Sequence, residues 1–156
     1  MILLKKICVL FLLVLLSTTL SCSKKTLPSS EVNYLSENEG TMTMRAMGIG
    51  SNQNEAIDEA EKNTFKVLLF RGLPESKQKM ALISSNESEE IEKHKLYFEK
   101  FYNQKRYKTF IMSSIAVSDF AKQKGGLKSL SVDIKINLVA LRKDLEQNNI
   151  IRKFGF

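Results

Sequence analysis

From Ser129 to Leu138 the chain alternates without a break. Leu130, Val132, Ile134, Ile136 and Leu138 take one phase, and Ser129, Ser131, Asp133, Lys135 and Asn137 take the other. An extended backbone, whose successive side chains point to opposite faces, separates those two sets, so the segment predicts a strand with one buried face. A strand cannot stand alone, because its backbone donors and acceptors need partners and its apolar face needs a cover. Gly125-Gly126 supplies turn chemistry and Tyr107 to Phe120 is β-prone, which predicts an antiparallel hairpin. Another strand is expected in Thr41 to Met47, where Met42, Met44 and Ala46 oppose Thr41, Thr43 and Arg45.

Helices supply the cover. Gly48-Ile49-Gly50 is expected to end the strand and let the backbone turn sharply into a helix packed close on the sheet. Asn52, with Glu55 three residues later, resembles a capping box, and Ala56, Ala60, Thr64, Val67 and Leu68 form one helical stripe. Gly72 in a left-handed conformation, Leu73 packing back and Pro74 predict the helix end. Met80 to Ile83 reads as a strand or as a loop tucked against the core. A second helix is expected after Glu87, Glu89 and Glu90, whose charges suit a helix N-terminus, with Ile91, Lys95, Phe98, Phe101 and Tyr102 as its stripe through about Asn103. A short helix with Leu141 and Leu145 follows the hairpin, and the tail after it is unassigned. The expected fold is α+β: an antiparallel sheet of three to four strands packed by two to three helices, with the first two helices on one face.

The first forty residues are not expected to belong to that domain. Lys5 and Lys6 precede an apolar run from Ile7 to Leu16, and small and polar residues follow. This is the layout of a secretory signal peptide, and the run is well short of the ~20 residues a spanning helix needs. Residues 1–21 are therefore expected to be cleaved. Residues 22–40 then form the mature N-terminus and a flexible, Ser-, Glu-, Asn- and Lys-rich spacer in which Val32 to Leu35 has edge-strand character. Residues 41–156 form the single domain.

Cys22 stands where the apolar segment gives way to Ser23, Lys24 and Lys25. Thr19-Leu20-Ser21-Cys22 resembles the lipobox of bacterial lipoproteins, with a small Ser21 before the cysteine and a leucine one place later than usual. The resemblance implies that Cys22 is acylated and becomes the mature N-terminus. An ordinary signal peptide cut nearby would leave the same thiol incidental. Cys8 would be discarded with the leader, so no intramolecular disulfide is available to the mature chain. Each buried acyl methylene contributes ~0.8 kcal/mol, and two or three chains hold a small domain firmly to a leaflet. Ser23, rather than Asp, after the cysteine suggests by analogy the outer membrane as the destination.

Charge and composition exclude more than they assign. Without Lys5 and Lys6 the 24 basic residues fall to a net charge of +5 against 17 acidic ones, and no dense basic block or recognition motif points to nucleic acid. Strand, Gly48-x-Gly50 and helix come in the order of a dinucleotide site, but Gln53 replaces the third glycine, so no cofactor is expected. His94 is the only histidine, which rules out a two-histidine metal site. No Gly-x-Ser-x-Gly elbow occurs, and Glu89, Glu90 and Glu92 read as dipole complement, so no catalytic residues are assigned. A hydrolase would need serine and carboxylate gathered around His94. The segment from Lys95 to Phe110 interleaves aromatics with cations. Tyr97, Arg106 and Tyr107 are the candidate lining of a surface groove for a small ligand or glycan.

From about Gly40 to Asn149 the order of features resembles the small lipoprotein family of the twenty-kilodalton lipoprotein membrane antigens, related to the N-terminal domain of the flagellar protein FlgT. The resemblance rests on Gly48-Ile49-Gly50-Ser51, the helix with Ala56 and Ala60, and the long hairpin closing into a helix with Leu141 and Leu145. Thr64 and Val67 replace alanines frequent in that family, and residues 75–95 have no counterpart in it. The resemblance implies a lipid-anchored α+β domain with a structural or assembly role, membrane attachment through acyl chains, and a protein partner in the envelope.

Overall fold

A computed structural model describes residues 31–83, 86–122 and 126–152. The signal peptide, Cys22 and the first part of the spacer lie outside the described residues, as do Gly125 of the expected turn and the tail from Lys153.

The predicted strand is the hub. β1 (Val32–Asn38), β2 (Thr41–Gly50), β3 (Ile111–Ala116), β4 (Ala121–Lys122) and β5 (Lys128–Asn137) form one antiparallel sheet in the order β1-β2-β5-β3, with β4 also on β5. β2 and β5 run in register from Thr41 opposite Asn137 to Gly50 opposite Lys128. That register sets Met42 against Ile136, Met44 against Ile134 and Ala46 against Val132, all fully buried. On the other face Arg45 grips Asp133 across the strands through Nε and Nη2, at 2.7 and 2.9 Å.

The α+β class is as expected, with more elements than anticipated. One of them is β1, where the edge-strand character of Val32 to Leu35 extends to Asn38 inside the stretch read as spacer; its Val32 and Tyr34 face the core beside Ala46 and Met44. Within the described part of that stretch, the polar residues belong to a two-residue turn at Glu39-Gly40 and to the side of an edge strand facing water. A second difference lies at Gly48-Ile49-Gly50, where β2 continues through Gly50 instead of breaking.

α1 (Gln53–Phe70) lies along the sheet across β2 and β5. Asn52 caps it, its Oδ1 accepting from Glu55 N at 3.0 Å, while Glu55 reaches back to the N–H of Ser51. Gly72 takes φ +78, its N–H closes on the Val67 carbonyl, and Leu73 is buried. The run from Met80 to Ile83 is a loop: Leu82 and Ile83 N–H donate to the Leu68 and Leu69 carbonyls, which lie among the last, otherwise open acceptors of α1.

The expected second helix is broken. α2 (Glu87–Lys93) stops at His94, whose φ −115 and ψ 37 are not helical. α3 (Lys95–Phe98) restarts there and passes into a π-helical turn, Glu99–Asn103. These pieces do not form a second layer on the sheet; their rings pack on α1, with Phe101 edge-on to Phe65 at 5.4 Å and Phe98 against Phe70 at 5.8 Å. The start of the expected hairpin is also helical, because Lys105 at φ +56 launches a 3-10 turn over Arg106–Phe110. α4 (Leu138–Gln147) closes the fold, capped by Asn137, whose Oδ1 accepts from Ala140 N at 2.9 Å.

Candidate functional site

Of the three residues expected to line a groove, two do so. Tyr97 and Arg106 border an open cavity of about 550 Å³ between the His94 break and α4, together with Lys93, His94, Lys100 and Asn148. Tyr107 does not join them. It is fully buried, tilted against Phe65 at 5.5 Å, and is a core residue. The 3-10 turn accounts for this correction: it turns the Tyr107 ring inward and leaves the flanking Arg106 and Lys108 to acidic partners on either side.

The residue that organises the cavity wall was not anticipated. Asp144 of α4 is buried and takes both arms of the Arg106 guanidinium, Nη1 at 3.1 Å from Oδ2 and Nη2 on Oδ1. Tyr97 Oη donates to the same Oδ2 at 2.8 Å, and the Arg106 fork lies over the Tyr97 ring, 5.7 Å from its centroid. Burial, then the hydrogen bond to the Asp144 carboxylate, pushes the Tyr97 hydroxyl well above the ordinary tyrosine range. Its proton therefore stays on at any physiological pH. A sequence signal existed: Asp144 sits on the helical stripe of Leu141 and Leu145, where a carboxylate needs a partner.

His94 is neither solvated nor isolated. Its side chain is 18% exposed and Nε2 lies 3.6 Å from Glu90 Oε2. Among the described residues, no serine, threonine or cysteine lines the cavity beside it. The acids of α2 are engaged locally, Glu89 with the Asn86 cap and Glu92 with Lys95 at 3.5 Å.

A second charged cluster ties the same segment to α1. Lys105 and Lys108 meet Asp58 at 2.5 and 2.6 Å, and Lys108 also reaches the buried Glu61 at 3.3 Å. Partial burial pushes the Asp58 carboxyl up, but hydrogen bonds and charge from both lysines outweigh it and hold the group below its ordinary 3.8. A carboxyl lowered in the folded state stabilises the fold above its unfolded pKa, and that contribution is lost as pH falls through the folded value. Asp58→Asn is therefore expected to show a shallower loss of thermal stability below about pH 4 than the wild type. Coincident acid limbs in melts of the two proteins would remove Asp58 from this role.

A different feature faces solvent at the sheet's end. β3 is the terminal strand, and among the described residues nothing pairs with its outer side. Ile115 is 60% and Met112 54% exposed there, and Thr109 to Ser118 contains no charged residue. No described helix is long and apolar enough to cross a membrane. In comparisons with known proteins, the chain matches no family model, no curated protein and no solved structure.

Proposed function

We propose that the chain is an exported, lipid-anchored component of the bacterial cell envelope, in the manner of the small lipoproteins it resembles, and that it docks on protein as a scaffold. Cys22 supplies the anchor, with the outer membrane as destination, and the chain from Ser23 to the start of β1 supplies the reach. The role is mechanical rather than catalytic. The observation that carries the docking role is the open edge of β3, which is uncharged and pairs regularly with β5 from Ser113 to Ala116, since exposed strand edges are usually blunted by charge or proline.

Binding of a small ligand or glycan in the cavity is the weaker reading. The polar groups best suited to recognition there, the Arg106 fork and the Tyr97 hydroxyl, are already engaged by Asp144.

Two measurements test the proposal. Cys22→Ser is expected to move the protein from the membrane to the soluble fraction, and unchanged membrane retention would overturn the anchor. A photo-crosslinking residue at position 115 is expected to capture protein in the intact envelope, while the same residue at exposed Leu96, beside the cavity, captures none. The reverse pattern would move the docking surface to the cavity.

A further inference from the structure

We propose that β3 pairs with β3 of a second copy of this chain, antiparallel about a two-fold axis at Ile115, so that two sheets become one continuous sheet. This deepens the docking reading above and rests on it.

The two sheet edges differ. β1 carries Glu37, is flanked by Glu31 and Glu39, and has an irregular step between Tyr34 and Ser36, all devices that discourage strand addition. β3 has its irregular step early, between Ile111 and Ser113, and pairs regularly with β5 from Ser113 to Ala116.

The hydrogen-bond phase of β3 is set by Val117, whose N–H donates to the Ser131 carbonyl at 2.9 Å. In an antiparallel ladder backbone groups alternate in direction, so Ser113 and Ile115 address β5 while Ser114 and Ala116 present N–H and C=O outward. With Ile115 on the axis, Ser114 of one copy stands opposite Ala116 of the other, twice. Each such pair exchanges two hydrogen bonds, four in all by this ladder rule. The two Ile115 side chains then meet as the closely spaced, non-hydrogen-bonded pair, on the sheet face not covered by α1.

Charge favours a second copy. Self-pairing across a two-fold axis sets every side chain near its own equivalent, so a charged strand would repel itself unless both signs alternated. β3 carries no charge, and the charge nearest the axis on that face, Asp133 opposite Ile115, is already closed by Arg45 of the same chain. The ladder is short, because the chain leaves β5 after Val117 and rejoins it only at Ala121. Such a small contact is weak in dilute solution, and confinement of both copies to one leaflet raises their effective concentration.

The test uses the full chain in its native envelope. Ile115→Cys is expected to form a covalent dimer under mild oxidation several-fold above wild type, whereas Thr43→Cys, on β2 and away from the edge, stays at background. Adding Ala116→Pro removes an outward N–H that β5 does not use, and is expected to reduce the cross-link about tenfold. Ile115→Lys places like charges at the axis without touching the β3–β5 ladder, and its melt should match wild type while self-association is lost. Background cross-linking by folded Ile115→Cys overturns self-pairing, as does a dimer indifferent to both Ala116→Pro and Ile115→Lys. A photo-adduct to a different protein at position 115, without the self-disulfide, overturns the second copy and leaves β3 as a docking edge. No adduct of either kind overturns both.

Discussion

Gly48→Ala is expected to destabilise the folded protein severely. A β-carbon at Gly48 would lie 1.7 Å from the Ala56 carbonyl oxygen and 2.7 Å from the Ala60 nitrogen, both backbone atoms of α1. No rotamer change relieves a clash between two backbones. To admit one methyl group α1 must lift from β2, separating fully buried Ala56, Ala60 and Leu68 from Met44 and Ala46. The cost belongs with the exceptional substitutions, about 4 kcal/mol or more, against a total stability of about 5–15 kcal/mol for a domain. Circular dichroism and a urea titration check this directly. A cooperative transition within about 1 kcal/mol of wild type would mean that α1 does not sit this close to β2. Gly48 thus serves close approach, within a strand that continues to Gly50.

Phe101→Ala is expected to cost about 3–5 kcal/mol and lower Tm by something on the order of 10–20 °C. Phe101 is fully buried and central to the aromatic cluster: Phe65 lies at 5.4 Å, Tyr102 at 5.1 Å, Tyr97 at 5.6 Å, and Phe110 is stacked at 6.1 Å. Truncation leaves a void that rings held on three sides cannot collapse into, and it removes the edge-to-face contact between the π-helical turn and α1. Because the same rings hold Tyr97 and Arg106 against Asp144, the cavity wall should loosen with the core. Faster hydrogen exchange across Lys95–Phe110 than across β2 and β5 would report it. Leu96→Ala, at an exposed neighbouring position, is the control and should stay within about 0.5 kcal/mol of wild type. Equal effects of the two substitutions would mean that the aromatic cluster does not carry this segment.

Local chemistry made the central elements legible. The unbroken alternation of β5, the Asn52 cap, and the Gly72-Leu73-Pro74 stop of α1 each act within a few residues, and the structure has all three. The misread elements depend on neighbours distant in sequence. Nothing in Glu92-Lys93-His94-Lys95 marks a helix break, since no glycine or proline stands there; the bend at His94 lets the rings of α3 and the π-helical turn reach α1. Tyr97 and Tyr107 look alike in sequence, each with cations nearby; Tyr97 follows the His94 break to the cavity wall, and the 3-10 turn after the left-handed Lys105 takes Tyr107 into the core. Arg106 read as part of a groove lining; Asp144, 38 residues away, closes on it.

The sequence by itself determined the α+β class, β2 and β5 as strands, α1 as a helix, and the apolar faces those three elements bury, because side-chain periodicity and capping are properties of short segments. Only the tertiary structure decided that β1 joins the sheet, that Asp144 gathers Tyr97 and Arg106, and that β3 is left as an open edge. Which strand lies at the edge of a sheet follows from the order in which distant segments pair. Local sequence limits that order but does not choose it.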